Sequence, residues 1–97
     1  MSKWIYTASF PGHTDRARVT VKGRDAWALR LLVQRGERGC SPVSEPTGPR
    51  WSSYIHRLRR AGFSIVSIHE SHKGEFPGRH VRYVLRDRVE LARMEAR

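Results

Sequence analysis

The hydrophobic pattern of this 97-residue chain changes period twice, and the order of the changes constrains the fold more than any single residue does. Trp4, Tyr6, Ala8 and Phe10 alternate along one side of an extended segment. The turn residues of FPGHTDR follow, and Ala17, Val19 and Val21 resume the two-residue period, which predicts a pair of strands. The period then lengthens. Ala28, Leu29, Leu32 and Val33 share one face of a helix, with Arg30 and Gln34 opposite. A second helical stretch runs from Pro49 to Ala61. It gives way to β-rich Phe63–Ile68, the loop HESHKGEFPGR, and an alternating strand from His80 to Arg86. Strands, helices, then a hairpin make an α+β chain.

Glycine and proline mark the boundaries. Gly23 ends the strand pair, Asp25 is the expected N-cap of AWALRLLVQRG, and Gly36 closes that helix. Trp27 falls on its polar side and is expected to pack against the N-terminal strands, or else to form a partner surface. Ser41-Pro42 reads as a cap with proline at the first helical position. Pro46 limits segment 41–48 to a single turn or an extended linker. Pro49 starts the next helix and Gly62 stops it. RDRVELARMEAR is expected to form a short helical tail, with too little apolar surface (Val89, Leu91, Ala92, Met94) to hold itself down alone.

The helix 49–61 raises the functional question. Trp51, Ile55 and Leu58 fall within a sector of about 60°, the core stripe, with Tyr54 and Arg59 on its flanks. Ser53, His56, Arg57 and Arg60 lie opposite, with Arg50 at the edge. The segment has no acidic residue, so the arginines lack the i,i+4 partners that a solvated face ordinarily provides. A phosphate backbone would relieve that repulsion, and the planar fork of arginine can also meet guanine O6 and N7 together. The whole chain leans the same way, with 19 Lys and Arg against 9 Asp and Glu, net +10. The following loop and strand add His72, Lys73, Arg79, His80 and Arg82.

Other chemistries fare worse. No apolar run approaches the roughly 20 residues that span a membrane, and MSKWIYTASF lacks the apolar core of a signal peptide. One cysteine, Cys40, excludes an internal disulfide, fits a reducing cytoplasm, and reads as a small buried residue. His69 and His72, with His80 and Cys40, do not have the spacing of a structural zinc site. His69, Glu70 and His72 are expected instead as a polar cluster that shapes the hairpin. Neither paired carboxylates nor a phosphate-binding glycine loop is present, so no catalytic residues and no cofactor are expected.

From about Asp25 to Arg86 the chain resembles a winged helix-turn-helix domain of the small phage and bacterial type. ALRLLVQRG is similar to its first helix, RWSSYIHRLRRAGFSI to its recognition helix and first wing strand, and VRYVLRD to its closing wing strand. The resemblance implies a single domain over 1–97: N-terminal strands over 1–22, a winged-helix core over 24–86, and a helical tail over 87–97. It also implies that helix 49–61 enters the major groove of duplex DNA. Arg50, Ser53, His56, Arg57 and Arg60 then face the groove, and Lys73, Arg79 and Arg82 are wing contacts to backbone or minor groove. SPVSEPTG departs from the family pattern, being too short and proline-rich for the three-turn helix expected before a recognition helix.

The implied function is a sequence-specific transcriptional regulator, cytoplasmic and on the nucleoid. It would dimerise through the N-terminal strands, Trp27 or the C-terminal tail, because one domain covers only a short half-site. A nucleoid-associated or replication/recombination accessory protein with little sequence preference would use the same charge. A winged-helix protein–protein module would instead present Trp4, Tyr6, Phe10 and Trp27.

Overall fold

A computed structural model describes residues 4–41, 50–72 and 78–93, with the side chains of residues 72, 78 and 79 outside that description. Segment 42–49, Lys73 and residues 94–97 also lie outside it. Strand β1 (Ile5–Ser9) pairs antiparallel with β2 (Val19–Lys22), bringing Tyr6 opposite Val21 and Ala8 opposite Val19. Phe10-Pro11-Gly12-His13 turns the chain after β1. The His13 amide donates to the Phe10 carbonyl at 3.1 Å, with Pro11 second and Gly12 third at φ +84°, as a type II turn requires. Tyr6, Ala8 and Phe10 are buried, so the alternating face is the core face.

Helix α1 (Gly23–Arg35) buries Ala26, Ala28, Leu29 and Leu32, and helix α2 (Trp51–Arg60) buries Trp51, Tyr54, Ile55 and Leu58. The two helices pack on each other, and their apolar faces meet the β1 face and Phe63 and Ile65 in one core. Two expectations change here. Asp25 is not the N-cap: Lys22 holds that position without a side-chain cap, and Asp25 stands in the first turn. Tyr54, expected on the flank, is only 5% exposed because Trp27 reaches across from α1. Trp27 lies tilted against Trp51, with ring centroids 5.5 Å apart, and meets Tyr54 edge-on at 6.2 Å.

The end of α2 is a Schellman motif. The Phe63 amide donates to the Leu58 carbonyl (3.1 Å) and the Gly62 amide to Arg59 (3.0 Å), with Gly62 at φ +110°. Phe63 and Leu58 are both buried, which supplies the motif's apolar contact. The turn releases β3 (Ile65–His72), which pairs antiparallel with β4 (Gly78–Leu85) from Ile65↔Leu85 to His72↔Gly78. Cys40, buried after a 3-10 turn at Gly36–Arg38, bridges the other side of β4 through two backbone hydrogen bonds with Tyr83, of 2.9 and 2.8 Å.

The expected helical tail is a strand. β5 (Glu90–Arg93) pairs antiparallel with β1, completing the order β2-β1-β5. Val89 and Leu91 alternate onto the core. The open edge of β1 offers backbone partners that an isolated, apolar-poor helix would lack. A clamp joins the layers. Arg16, from the β1–β2 loop, donates to Asp87 Oδ1 and to the Gly62 carbonyl (each 3.0 Å), while the Ser64 amide donates to Asp87 Oδ2 at 2.7 Å. The Arg16 guanidinium also lies 3.6 Å from the centroid of the Phe10 ring. Burial pushes the Asp87 carboxyl up, but the hydrogen bonds from Arg16 and Ser64, with the charges of Arg16 and His13, outweigh burial and hold it below its ordinary value.

Candidate nucleic-acid interface

Four buried residues commit one face of α2 to the core, so its charged residues divide between two flanks and an outward ridge. Arg59 takes the wing-side flank. Its Nε and Nη2 donate to the Ile65 carbonyl (3.0 and 2.7 Å), and Nη2 also reaches Ser67 Oγ at 2.9 Å. This arginine fastens the helix to β3 and satisfies a carbonyl there. It was legible only as a flank residue, because its partners depend on how the Gly62 turn swings the chain.

Arg57 takes the α1-side flank. Its Nε donates to both oxygens of Asp25 (3.0 and 2.8 Å) and its Nη2 to Oδ1 (2.8 Å). The hydrogen bonds that Arg57 donates to Asp25, with the charge of that carboxylate, outweigh the opposing effect of desolvation and raise the Arg57 guanidinium above its already high ordinary value. The expectation of an α2 face with no acidic partner is therefore corrected at this one position. The counter-charge comes from the first turn of α1, 32 residues earlier. Arg57 still keeps half of its side chain in solvent.

The outward ridge consists of Ser52, His56 and Arg60, all exposed, with Ser53 half-buried beside them and Arg50 exposed at the helix entrance. The structure thus places Arg50, Ser53, His56 and Arg60 on or beside one outward face, with Arg57 at its edge. Four of these five are arginine or histidine, so the ridge is a cationic strip on a rigid element, suited in shape and charge to an anionic groove.

The hairpin differs from expectation. Arg82, expected as a wing contact, points back into the protein: its Nε meets Glu70 Oε2 at 3.1 Å and its Nη1 donates to the carbonyls of Glu37 (2.8 Å) and Arg38 (3.2 Å). His80 pairs with the other oxygen of Glu70 at 3.3 Å. Among the described side chains the polar cluster of the wing is therefore Glu70 with His80 and Arg82, and His69 is not part of it. Strand alternation is the reason, since residues 69 and 70 face opposite sides while paired residues 70 and 80 share one. His72, Lys73 and Arg79 have no described side chains. No group of three potential metal-ligating residues is found among the described residues.

The aromatic surface expected for a partner is largely internal. Tyr6 and Phe10 are buried, Trp27 lies on Trp51 and Tyr54, and half-buried Trp4 stacks on Tyr6 with Arg30 over its ring. None of the described helices is long and apolar enough to cross a membrane. A shallow groove between α1 and β5 is lined by Tyr6, Arg30, Val33, Val89 and Leu91.

No curated protein and no solved structure matches the chain. A family model described as a winged helix domain matches residues 18–95. The match takes in β2, both helices, the β3–β4 hairpin and β5, and of the described strands and helices leaves only β1 outside. With two helices, an antiparallel hairpin after the second, and a cationic ridge on that helix, the chain belongs to the winged helix domain family, a DNA-binding fold.

Proposed function

We propose that this protein binds duplex DNA as a sequence-specific transcriptional regulator, with α2 in the major groove and the β3–β4 hairpin along the backbone or in the adjacent minor groove. The observation that carries the reading is the outward ridge of α2. Arg60 and His56 project from a helix whose opposite face is buried and whose flanks are tied to α1 by Arg57 and to β3 by Arg59. A helix held on three sides can present side chains to base edges in a fixed register, whereas a charge patch on mobile loops can only follow the backbone. Arg50, Ser53, His56, Arg57 and Arg60 form the groove-facing set. Lys73 and Arg79 of the hairpin add phosphate contacts, and Arg82 sets the shape of the wing rather than touching DNA. The reading places the protein on the nucleoid of a cytoplasm and includes no catalytic step.

A dimer supplies the second half-site. Because β1 is paired on both sides, a dimer through the sheet uses the outer edge of β2 or of β5. The test is a fluorescence-anisotropy titration with a random-sequence duplex at three salt concentrations, followed by selection from a pooled oligonucleotide library. A log–log slope equivalent to several phosphates supports duplex binding. An enriched motif then supports a regulator, and tight binding without enrichment supports a nucleoid-associated protein instead. No binding at low salt overturns the reading.

A further inference from the structure

We propose that Asp25 is a positioning residue, which holds Arg57 so that its free edge reads a guanine. This deepens the reading above and rests on α2 being the groove element. The three contacts between the two side chains all use the Nε and Nη2 edge of the guanidinium. The group is planar and carries five N–H donors in a rigid fork. Nη1 takes no part in the pair, so the end of the fork, formed by Nη1 and the remaining N–H of Nη2, stays free. Two parallel donors at that end match the O6 and N7 acceptors of guanine in the major groove.

The exposures agree with this division. The Arg57 side chain is 51% exposed and that of Asp25 25%, so the carboxylate is the recessed partner and the arginine the presented one. The guanidinium also lies 5.7 Å from the Tyr54 ring centroid, and Tyr54 is fixed by Trp27 and Trp51. An unheld arginine sweeps several rotamers and meets phosphates as readily as bases. Ordering it before binding lowers the entropy lost when one base edge is engaged. Among the described residues Arg60 has no carboxylate of this kind, so the inference separates two arginines that sequence alone makes equivalent.

The test is selection from a randomised duplex library, with affinities on the selected site and on random duplex, for the wild type, Asp25→Asn and Arg57→Lys. The wild type is expected to enrich a guanine at one position, with roughly 5- to 150-fold discrimination there, the range of a good bidentate contact. Asp25→Asn keeps random-duplex affinity within about threefold and the same salt slope, but loses most of the discrimination at that position alone. Arg57→Lys keeps the charge, and Asp25 with it, and loses the same guanine, so the outcome does not hang on how well one variant folds. The proposal is overturned if Asp25→Asn tightens binding to every sequence equally and keeps the guanine, since Asp25 would then act only as a competing charge. A wild type that binds duplex with no base preference dependent on Arg57 overturns the proposal and leaves duplex binding standing. A wild type that binds no duplex overturns both.

Discussion

Replacing Gly39 with alanine adds one methyl group where the chain leaving the 3-10 turn passes over β4. A Cβ at this position would lie 2.5 Å from the Tyr83 carbonyl oxygen, 2.9 Å from Val84 Cγ2 and 3.0 Å from Arg82 Cγ. The nearest atom is backbone, so no rotamer change relieves the clash. The residue also has φ +69° and ψ −174°, a region that is nearly the preserve of glycine and costs about 1–3 kcal/mol for other residues. Moving the chain away gives up the two Cys40–Tyr83 hydrogen bonds, each worth about 1 kcal/mol net. The expected loss is therefore about 3–5 kcal/mol, a large part of the stability of a domain this size. Gly12→Ala is the control: Gly12 also has positive φ, +84°, but nothing lies within 4 Å of its added methyl, so strain alone costs about 1–2 kcal/mol. Urea unfolding of the two variants gives the difference, and hydrogen exchange at the Cys40 and Tyr83 amides shows where it arises. If Gly39→Ala costs no more than Gly12→Ala, or leaves both amides as protected as before, the close approach is not what requires glycine.

Trp51→Ala should cost about 3–5 kcal/mol in the same unfolding assay, because it empties a site 1% exposed beneath Trp27 and Tyr54. Arg57→Ala combined with Arg60→Ala should keep the wild-type circular dichroism spectrum, since neither side chain enters the core. Its affinity for random duplex should fall at least about tenfold in the anisotropy assay. The Asp87 carboxyl has a folded value below its ordinary one. Its contribution is therefore present above about pH 4, the unfolded value, and is lost as pH falls through the lower folded value. The gap in urea midpoint between the wild type and Asp87→Asn should accordingly be constant above about pH 4 and shrink below it. A gap that persists unchanged at lower pH would mean that the charge of Asp87 is not what the clamp uses.

Much of this protein follows from short-range pattern. The two-residue period of Trp4–Phe10, the core stripe of α2 and the stop at Gly62 depend on residues within a few positions of one another, and each stands in the structure where spacing puts it. The α+β class follows from the order of those periods, and the winged-helix resemblance rests on the same residues. The tail is different. Val89 and Leu91 fit a strand as well as a weak helix, and the vacant edge of β1, some 80 residues earlier, decides between them.

The candidate site divides along the same line. Which α2 residues face outward was legible, because helical geometry fixes direction relative to the core stripe. Which of them are held was not. Asp25 looks like a cap until α1 packs on α2 and brings its carboxylate to Arg57, and Arg82 looks like a wing contact until the 3-10 turn offers it two carbonyls. Sequence by itself determined the N-terminal strand pair, the two helices with the apolar face of each, the hairpin and the stop at Gly62, since these are set by local backbone geometry and burial. Only the tertiary structure decided which charges are paired and which are presented, because a charge takes its partner from whatever element the fold brings within about 3 Å, at any distance along the chain.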